Sequence, residues 1–352
     1  MSKLLLGTRK GLIIYENQNG KWALKKTEFL GIPVSIAYVD ELTNTWWACL
    51  DHGHWGVKLH RSSDEGATWE ELTAPVYPDG EKVGEDDAAL RYIWAAGSVG
   101  NKLMFGTDPG GLFESSDNGG SFALNRGLWD HPSRSEWFGG GRDKPGIHSI
   151  CVDPRDENHI YIAISCAGVF ETTDGGKTWN PRNNGLKADF LPDPDAEIGQ
   201  DPHLLVMSPS NPDVMWQQNH CGIFKTEDAG QNWIDISEEN GPANFGFLIH
   251  VHPENENMAW VVPGVSDGVR VAIDGKLEVC RTSDGGKTWK SFSNGLPQEN
   301  CYDIAYRHCM DFDGDNLIFG TTTGNLFVSN DLGENWECIS NYLPMIYSVC
   351  LV

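Results

Sequence analysis

Thr172-Thr173-Asp174-Gly175-Gly176-Lys177-Thr178-Trp179 is one copy of an eight-residue pattern that recurs along the chain. Each copy has a hydroxyl residue, an aspartate two positions later, a glycine two positions after that, and an aromatic residue three positions further on. The copies lie at 62–69, 115–122, 172–179, 226–233, 282–289 and 329–336, which are 47 to 57 residues apart. Such a period suits the four-stranded blade of a β-propeller.

The eight-residue pattern predicts a tight turn between two strands. Its aspartate accepts hydrogen bonds from the amides of the turn, and its glycine supplies the positive φ that the turn needs. The aromatic side chain folds back as a buried plug between neighbouring elements. We therefore interpret the six aspartates as turn formers rather than as catalytic residues.

The pattern resembles the Asp-box (BNR) repeat of sialidases, sortilin-like receptors, two-propeller xyloglucanases and photosystem assembly factors. The resemblance implies that the turn joins the third and fourth strands of each blade, on the face away from the active site. It covers the repeats and not the site of sialidases, which are six-bladed and carry Arg-Ile-Pro near their start. Here Gly31 precedes Ile32-Pro33, so a true sialidase is not what we expect.

The sequence between the repeats predicts an all-β fold, a seven-bladed β-propeller with four-stranded antiparallel blades. Residues 4–25 have the pattern of three strands with no first strand before them, and 345–352 form one apolar strand with none after it. Joining the two closes the ring and removes free sheet edges. No helix is expected, because no 3.6-residue periodicity is sustained. We expect a single domain over 1–352, with blades at 343–352 plus 3–27, 32–74, 90–125, 146–182, 202–238, 245–294 and 302–341.

The composition restricts partners and compartment. A net charge of −24 and a pI near 4.7 argue against nucleic acid and anionic membranes as partners. Nine cysteines, an odd number without CxxC pairs, are typical of a reducing compartment. The chain starts without the pattern of a secretory signal. These features predict a cytoplasmic protein. The partner that we expect, from the residues at the mouth of the channel, is a small-molecule or saccharide ligand.

Three long connections indicate the functional face. Residues 128–146 and 188–201 join the last strand of one blade to the first strand of the next, and 263–278 join a second strand to a third. Both kinds of connection leave a propeller on the same face. Long loops on one face of a rigid scaffold are where function tends to collect.

Residues at the start of first strands and the end of second strands should face the mouth of the central channel on that side. Imidazole and carboxylate groups there could hold a divalent metal such as Zn, Mn or Ca, while arginines could bind an anionic group. Histidine or aspartate could also act as general acid or base. The candidates are His148, His203, Asp108 and Asp303 for catalysis, Arg9, Arg91, Tyr92, Arg270 and Trp137 for substrate binding, and His52, His54, His148, His203 and His220 for a metal.

Several of these segments also carry a second resemblance, to bacterial cytoplasmic Asp-box proteins that are labelled exo-alpha-sialidase or glycosyl hydrolase on the repeat alone. The resemblance implies fold and compartment, not an activity. It is carried by 7–11, 51–54, 57–62, 109–113, 137–141, 145–150, 200–203, Tyr302-Asp303 and Arg307-His308.

Two functions remain open from sequence. The first is a hydrolase or lyase, glycoside-hydrolase-like, that acts on a small anionic or carbohydrate-like substrate in a His/Asp/Arg-lined funnel, with or without a metal. The alternative is a non-catalytic propeller that binds a protein partner as a scaffold. A scaffold should present an exposed apolar or charged rim, whereas an enzyme should line its funnel with the histidines.

Overall fold

Seven antiparallel sheets of four strands each make up the computed structural model, which describes residues 2–352. In chain order the strands are β1 (Lys3–Thr8), β2 (Gly11–Gln18), β3 (Lys21–Glu28), β4 (Val34–Asp40), β5 (Thr45–His52), β6 (Gly56–Ser62), β7 (Glu70–Leu72), β8 (Lys82–Val83), β9 (Asp86–Asp87), β10 (Tyr92–Val99), β11 (Lys102–Asp108), β12 (Leu112–Ser115), β13 (Ala123–Leu124), β14 (Ile147–Val152), β15 (Ile160–Ile164), β16 (Gly168–Thr172), β17 (Asn180–Pro181), β18 (Pro202–Ser208), β19 (Asn211–Asn219), β20 (Gly222–Thr226), β21 (Ile234–Asp235), β22 (Gly246–Val251), β23 (Ala259–Pro263), β24 (Val279–Thr282), β25 (Lys290–Phe292), β26 (Met310–Phe312), β27 (Leu317–Gly320), β28 (Leu326–Ser329), β29 (Glu337–Ser340) and β30 (Ile346–Leu351).

The sheets form a seven-bladed β-propeller, as the sequence predicts. Six blades are consecutive meanders, and the seventh has the strand order β3-β2-β1-β30. Its C-terminal strand β30 pairs antiparallel with β1, with Leu4 opposite Leu351 and Leu6 opposite Val349. This pairing closes the ring, because it joins the C-terminal strand to the three N-terminal strands in one blade. β8 and β9 form a separate two-stranded hairpin.

The inner strands are buried because both of their faces pack against protein. Strand β15 reads IYIAI, and all five of its residues are buried. β-Branched and aromatic side chains suit such positions, since they pack well on a pleated surface. Apolar clusters fill the spaces between adjacent blades, for example around Trp216, Ile249 and Val261. The core is therefore a ring of inter-blade layers.

The six repeated turns have a common hydrogen-bond pattern. In the copy at 172–179, Thr172 Oγ1 donates to Asp174 Oδ1 (2.8 Å), which also accepts from Thr178 N (2.9 Å). Gly176 N donates to Thr172 Oγ1 (2.9 Å), and Gly176 has a φ of 89° that a residue with a Cβ rarely adopts. The same bonds recur around the aspartates at 64, 117, 228, 284 and 331. The aspartates shape turns, as expected.

The aromatic residue of the repeat connects adjacent blades. Trp179 is 4% exposed, and its Nε1 donates to Asn125 Oδ1 of the preceding blade (3.1 Å). Trp233 Nε1 donates in the same way to the backbone oxygen of Arg182 (2.8 Å). Each such bond satisfies the indole N–H while the ring fills the inter-blade space.

Short helices occur only in the long connections of the described chain, a small correction to the expectation of none. The helix α1 spans Arg126–Trp129, and 3₁₀ turns span Pro132–Glu136 and Ile273–Gly275. Asn125 caps α1 by accepting a hydrogen bond from Leu128 N (3.0 Å). A single turn of this kind is too short to give a periodic signal. Residues 2–352 contain no helix with the length and apolar character of a membrane span.

Candidate functional site

The three long connections meet at one end of the central channel and enclose a cavity of about 490 Å³, here called the upper cavity. Each connection lines it with two side chains: Phe138 and Arg142, Phe190 and Asp201, Asp267 and Arg270. First strands begin at this end, and the repeated turns therefore lie at the opposite end. The expected separation of turns and functional face holds in the structure.

Aromatic rings form much of the wall of the upper cavity. Tyr92 and Trp94 come from the start of β10, and Phe247 comes from the start of β22. Phe190, from the second connection, is 42% exposed and lies 5.0 Å from the His220 ring, centroid to centroid. Such rings offer the flat apolar faces on which a sugar ring can stack.

Two arginines of the cavity have carboxylate partners. Arg142 Nη1 donates to Asp108 Oδ2 (2.8 Å), and the Arg142 guanidinium lies over the Tyr92 ring at 4.3 Å. Arg270 pairs with Asp267 through a short contact. Asp108 is 2% exposed, and burial raises its pKa despite the bond from Arg142. Asp108 thus fixes Arg142 in place.

A third arginine, Arg307, lies between the rings of Trp94 and Phe247, with its Cζ 4.8 and 5.3 Å from their centroids. Its side chain makes no hydrogen bond or ion pair within residues 2–352, and its Nε is buried without a partner. Burial lowers the pKa of Arg307 to about 10. The guanidinium therefore stays charged at neutral pH.

Asp201, His203 and His220 converge in the upper cavity, with one ligand atom from each within 4.8 Å of the others. Asp201 Oδ2 lies 3.7 Å from His203 Nε2 and 3.5 Å from His220 Nδ1. These distances exceed those of ordinary hydrogen bonds. Two ligands about 2.1 Å from a tetrahedral ion lie roughly 3.4 Å apart, so the spacing suits a bound divalent metal.

The groups behind the triad orient its ligand atoms. His203 Nδ1 donates to the backbone oxygen of Gly246 (2.6 Å), which leaves a lone pair on Nε2. Cys166 N donates to Asp201 Oδ1 (3.1 Å), which leaves Oδ2 for the two histidines. Metal-binding histidines commonly donate their second nitrogen to a carbonyl in this way.

Burial and charge separate the protonation states of the triad. Burial, reinforced by the charge of Arg307, lowers the pKa of His203 to about 4. Contact with Asp201 raises the pKa of His220. Burial acts to raise the pKa of Asp201, but His220, His203 and Arg307 outweigh it and hold that pKa well below its usual range. Asp201 is thus ionised and His203 neutral at pH 7.

A second cavity of about 670 Å³, here called the lower cavity, continues the channel on the other side of Arg307 and His308. Both residues line both cavities. The lower wall is mostly apolar, with side chains such as Ile150 and Val206. Arg307 and His308 therefore form a polar neck between two cavities of different character.

The structure brings four of the predicted site residues to the upper cavity: His203, His220, Tyr92 and Arg270. It does not assemble the predicted five-histidine metal site. His52 Nδ1 accepts from Trp55 N (3.1 Å) within its own turn, and His54 is exposed against the ring of Trp55. His148 is 0% exposed and lines the lower cavity. A strand end predicts the channel wall but not which cavity a side chain enters.

The other predicted residues lie outside the upper cavity. Arg9 is exposed, and Arg91 is bound to Asp143 (3.1 Å) at the rim. Trp137 is 8% exposed and packs against Phe170 in the core. Asp303 is 2% exposed and accepts hydrogen bonds from Thr323 N (3.1 Å) and Asn325 Nδ2 (2.6 Å), so it shapes a turn. Asp108 reaches the cavity only through Arg142.

Site residues that sequence reasoning missed are Trp94, Arg142, Asp201, Arg307 and His308. Asp201, Arg307 and His308 fall in stretches that carry the resemblance to bacterial Asp-box proteins, which was a signal for them. Arg142 stands in a loop where no strand position could be assigned. Trp94 sits at a bulge in the pairing of β10 with β11, between Ile93 and Ala95.

Comparison with known proteins gives remote similarities. No protein-family model matches the chain. A xyloglucanase of Paenibacillus sp is 22% identical over 270 residues, which cover 65% of this chain and 24% of that protein. The chain spans about a quarter of the length of the curated relatives it matches.

Solved structures show the same fold. An ancestral GH74 enzyme superposes with a TM-score of 0.58 at 18% identity and covers 87% of this chain and 38% of its own. A protein of Bacteroides uniformis described as a candidate 6-phosphogluconolactonase gives a TM-score of 0.63 at 13% identity, covering 100% and 99% of the two chains. At these identities the likeness concerns the fold.

Proposed function

We propose that the chain is a hydrolase or lyase that acts on a small carbohydrate-like substrate in the upper cavity. The observation that carries the proposal is the convergence of Asp201, His203 and His220 on a cavity walled by aromatic rings. The xyloglucanase relatives support a carbohydrate-acting hydrolase as the general class. Their substrate does not transfer, since the matched part is a fraction of those proteins.

A divalent metal held by Asp201 Oδ2, His203 Nε2 and His220 Nδ1 is part of the proposal. Two imidazoles and one carboxylate on one side of an ion leave its other positions open. These ligands suit zinc or manganese better than calcium, which prefers oxygen. Such an ion would polarise an oxygen of the substrate or of a bound water. Asp201 and the two histidines would hold it, and Gly246 and Cys166 would orient them.

The aromatic walls supply orientation. A sugar ring stacked on Trp94 or Phe247 would be held beside the triad, because Phe247 lies 4.5 Å from His203, ring centroid to ring centroid. Arg142 and Arg270, each fixed by a carboxylate, can donate to hydroxyl or carboxylate oxygens of the substrate. The cavity volume of about 490 Å³ suits a mono- or disaccharide-sized molecule.

The test measures metal binding and turnover in the same preparations. Untagged protein is stripped of metal and titrated with Co²⁺ by absorption spectroscopy and with Zn²⁺ by calorimetry. The zinc- and manganese-loaded forms are then assayed against a panel of small glycosides, lactones and sugar acids. His203→Ala should weaken metal binding by more than the roughly 10–100-fold that is lost when a residue behind a metal ligand is changed, and should abolish turnover.

His54→Ala is the matched control, because it removes an exposed histidine from the same face. We expect wild-type affinity and turnover from it. The metal assignment is wrong if wild type and His203→Ala bind Co²⁺ equally. Absence of turnover on the whole panel, together with capture of a specific protein on the rim of the upper cavity, would favour the scaffold alternative.

A further inference from the structure

We infer that Arg307 is the anchor for an anionic group, so that the substrate of the upper cavity is an acidic sugar, either a sugar acid or a sugar phosphate. The inference rests on the proposed function for the location of the substrate. It deepens that function by distinguishing a charged from a neutral sugar. The shared chemistry is a planar or tetrahedral group of anionic oxygens.

Arg307 differs from the other two arginines of the upper cavity in having no partner. Arg142 is held by Asp108 at 2.8 Å, and Arg270 is held by Asp267. Within residues 2–352, no carboxylate lies within 4.0 Å of the Arg307 nitrogens. An arginine fork committed to one carboxylate has fewer donors to offer, whereas the two terminal nitrogens of Arg307 have no partner within residues 2–352.

The nearest candidate partner, Asp201, is engaged elsewhere. Its Oδ1 accepts from Cys166 N at 3.1 Å, and its Oδ2 faces His203 and His220. Asp201 acts on Arg307 through its charge and makes no direct contact with it. A cation in a low-dielectric site is costly without a counter-charge close by. The free protein therefore retains an unpaired charge that a ligand can neutralise.

The surroundings of Arg307 hold the guanidinium in a defined plane. Trp94 and Phe247 flank it at 4.8 and 5.3 Å from Cζ. A guanidinium fixed between aromatic rings presents its edge, which is the edge that binds carboxylate and phosphate through two parallel hydrogen bonds. Arg307 lines both cavities, so its terminal nitrogens lie within reach of a ligand in the channel.

Two further nitrogens without partners lie at the neck. His308 Nε2 is buried without a hydrogen bond, and so is Nε2 of His148, which is 0% exposed. His148 Nδ1 lies 3.0 Å from Ser149 Oγ, which also accepts a hydrogen bond from Leu205 N. Burial, together with the charge of Arg307, lowers the pKa of His308 to about 4. His308 is therefore neutral at pH 7, and Arg307 is the cation of the neck.

The experiment compares anionic and neutral probes on metal-free protein. Calorimetric titrations use D-glucuronate, inorganic phosphate and D-glucose, with wild type, Arg307→Gln and Arg307→Lys. Wild type should bind glucuronate more tightly than glucose, and Arg307→Gln should weaken glucuronate binding by about 10–100-fold while leaving glucose unchanged. Arg307→Lys should lie between them, since it keeps the charge and loses the fork.

Arg61→Gln is the control, because it removes an exposed arginine that pairs with Glu70 on the outer part of a blade. It should bind all three probes as wild type does, and melting curves of every variant establish that it is folded. A preference for phosphate over glucuronate would assign a sugar phosphate, and the reverse a sugar acid.

Two results would overturn the inference. One is wild-type binding of both anions no tighter than that of glucose, and the other is an Arg307→Gln variant that keeps anion affinity within about twofold. Neither depends on turnover or on metal. Failure of the proposed function would instead appear as unchanged Co²⁺ binding in His203→Ala.

Discussion

The repeated turns and the upper cavity lie at opposite ends of the same blades, and they treat polar groups in opposite ways. In the turn at 172–179, each oxygen of Asp174 accepts hydrogen bonds from side chains or amides of the turn. At the other end, the Arg307 side chain has no hydrogen-bond or ion-pair partner within residues 2–352, and Asp201 lies beside two histidines at distances too long for hydrogen bonds. The aspartate oxygens of the turn therefore have their hydrogen-bond partners without a ligand.

The difference indicates that the repeated turns stabilise the fold, whereas the polar groups of the upper cavity lower its stability when no ligand is bound. The aspartate bonds of the turn recur six times because each blade needs its turn to be fixed. Around the upper cavity, a charged group without a partner reduces stability, and a ligand that pairs with it can restore that stability. Variants at the two ends should therefore respond differently in stability and in binding.

The largest expected effect is on a plug of the repeated turns. Trp179→Ala removes a ring that is 4% exposed, together with its bond to Asn125, and should lower the free energy of unfolding by about 3–5 kcal/mol. Phe190→Ala removes a cavity ring that is 42% exposed and should cost less than about 1 kcal/mol. Urea unfolding followed by circular dichroism measures both.

The two substitutions should rank in the opposite order for their effect on ligand affinity. Phe190→Ala should weaken binding of a sugar in the upper cavity, while Trp179→Ala, if still folded at low temperature, should not. Equal losses of stability in the two variants would mean that the cavity aromatics are part of the core. The comparison between the two ends of the blades would then fail.

At the neck between the two cavities, we expect a substitution to change stability by an intermediate amount and to raise it. Arg307→Gln should raise the free energy of unfolding of the ligand-free protein by about 1 kcal/mol, because it removes a half-buried charge that has no partner within residues 2–352. Arg182→Gln should lower it by a similar amount, since Arg182 Nε donates to the buried carboxylate of Glu171 (2.8 Å). Thermal and urea unfolding without ligand measure both changes.

A loss of stability in Arg307→Gln as large as that in Arg182→Gln would show that Arg307 is a structural residue. Adding glucuronate offers a second check. The anion should raise the melting temperature of wild type and not that of Arg307→Gln, since a ligand stabilises only the protein that binds it.

The fold could be predicted because its signals are local and repeated. A hydroxyl, an aspartate, a glycine and an aromatic residue within eight positions specify one turn, and six copies specify the period. The closing blade followed from its two incomplete halves, and β30 does pair with β1. The strand-end rule also located His203 and His220, because both stand where regular strands begin or end.

The rest of the site depends on packing that no local pattern encodes. The sequence placed the first strand of the last blade near Tyr302 and Asp303, but β26 begins at Met310. Residues 302–309 instead run irregularly along the channel, which leaves Tyr302 68% exposed and brings Arg307 to the neck. Arg142 lies in a connection whose path is set by its contacts with Asp108 and the aromatic wall.

Of the three arginines predicted to bind substrate, Arg270 lines the upper cavity, and Arg9 and Arg91 lie outside it. Arg9 and Arg91 stand at strand ends, yet at the rim their side chains have solvent or an exposed aspartate as neighbours. Arg142 and Arg307 reach the cavity from irregular segments. The sequence predicted arginines at the mouth of the channel, whereas which arginines line the upper cavity depends on tertiary contacts.

The smallest effect concerns the aspartates of the repeated turns and acid pH. Hydrogen bonds from Thr178, to backbone and side chain, lower the pKa of Asp174 to about 2 from a usual value of 3.8. The equivalent hydrogen bonds lower the pKa of Asp64 and that of Asp117 to about 2. A carboxylate with a depressed folded-state pKa stabilises the fold above its unfolded pKa. That stability is lost as the pH falls from about 4 to about 2.

Asp174→Asn tests this directly, because asparagine keeps one acceptor oxygen and removes the charge. The free energy of unfolding of wild type should exceed that of the variant at pH 6, and the difference should shrink as the pH falls from 4 to 2. Asp79→Asn, at an exposed aspartate outside the turns, should show no such trend. A wild-type advantage that stays constant down to pH 2 would mean that the turn needs the shape of the aspartate rather than its charge. The turns would then stabilise the fold through the shape of their hydrogen-bonded aspartates, and an effect of charge on stability would be confined to the cavity end of the blades.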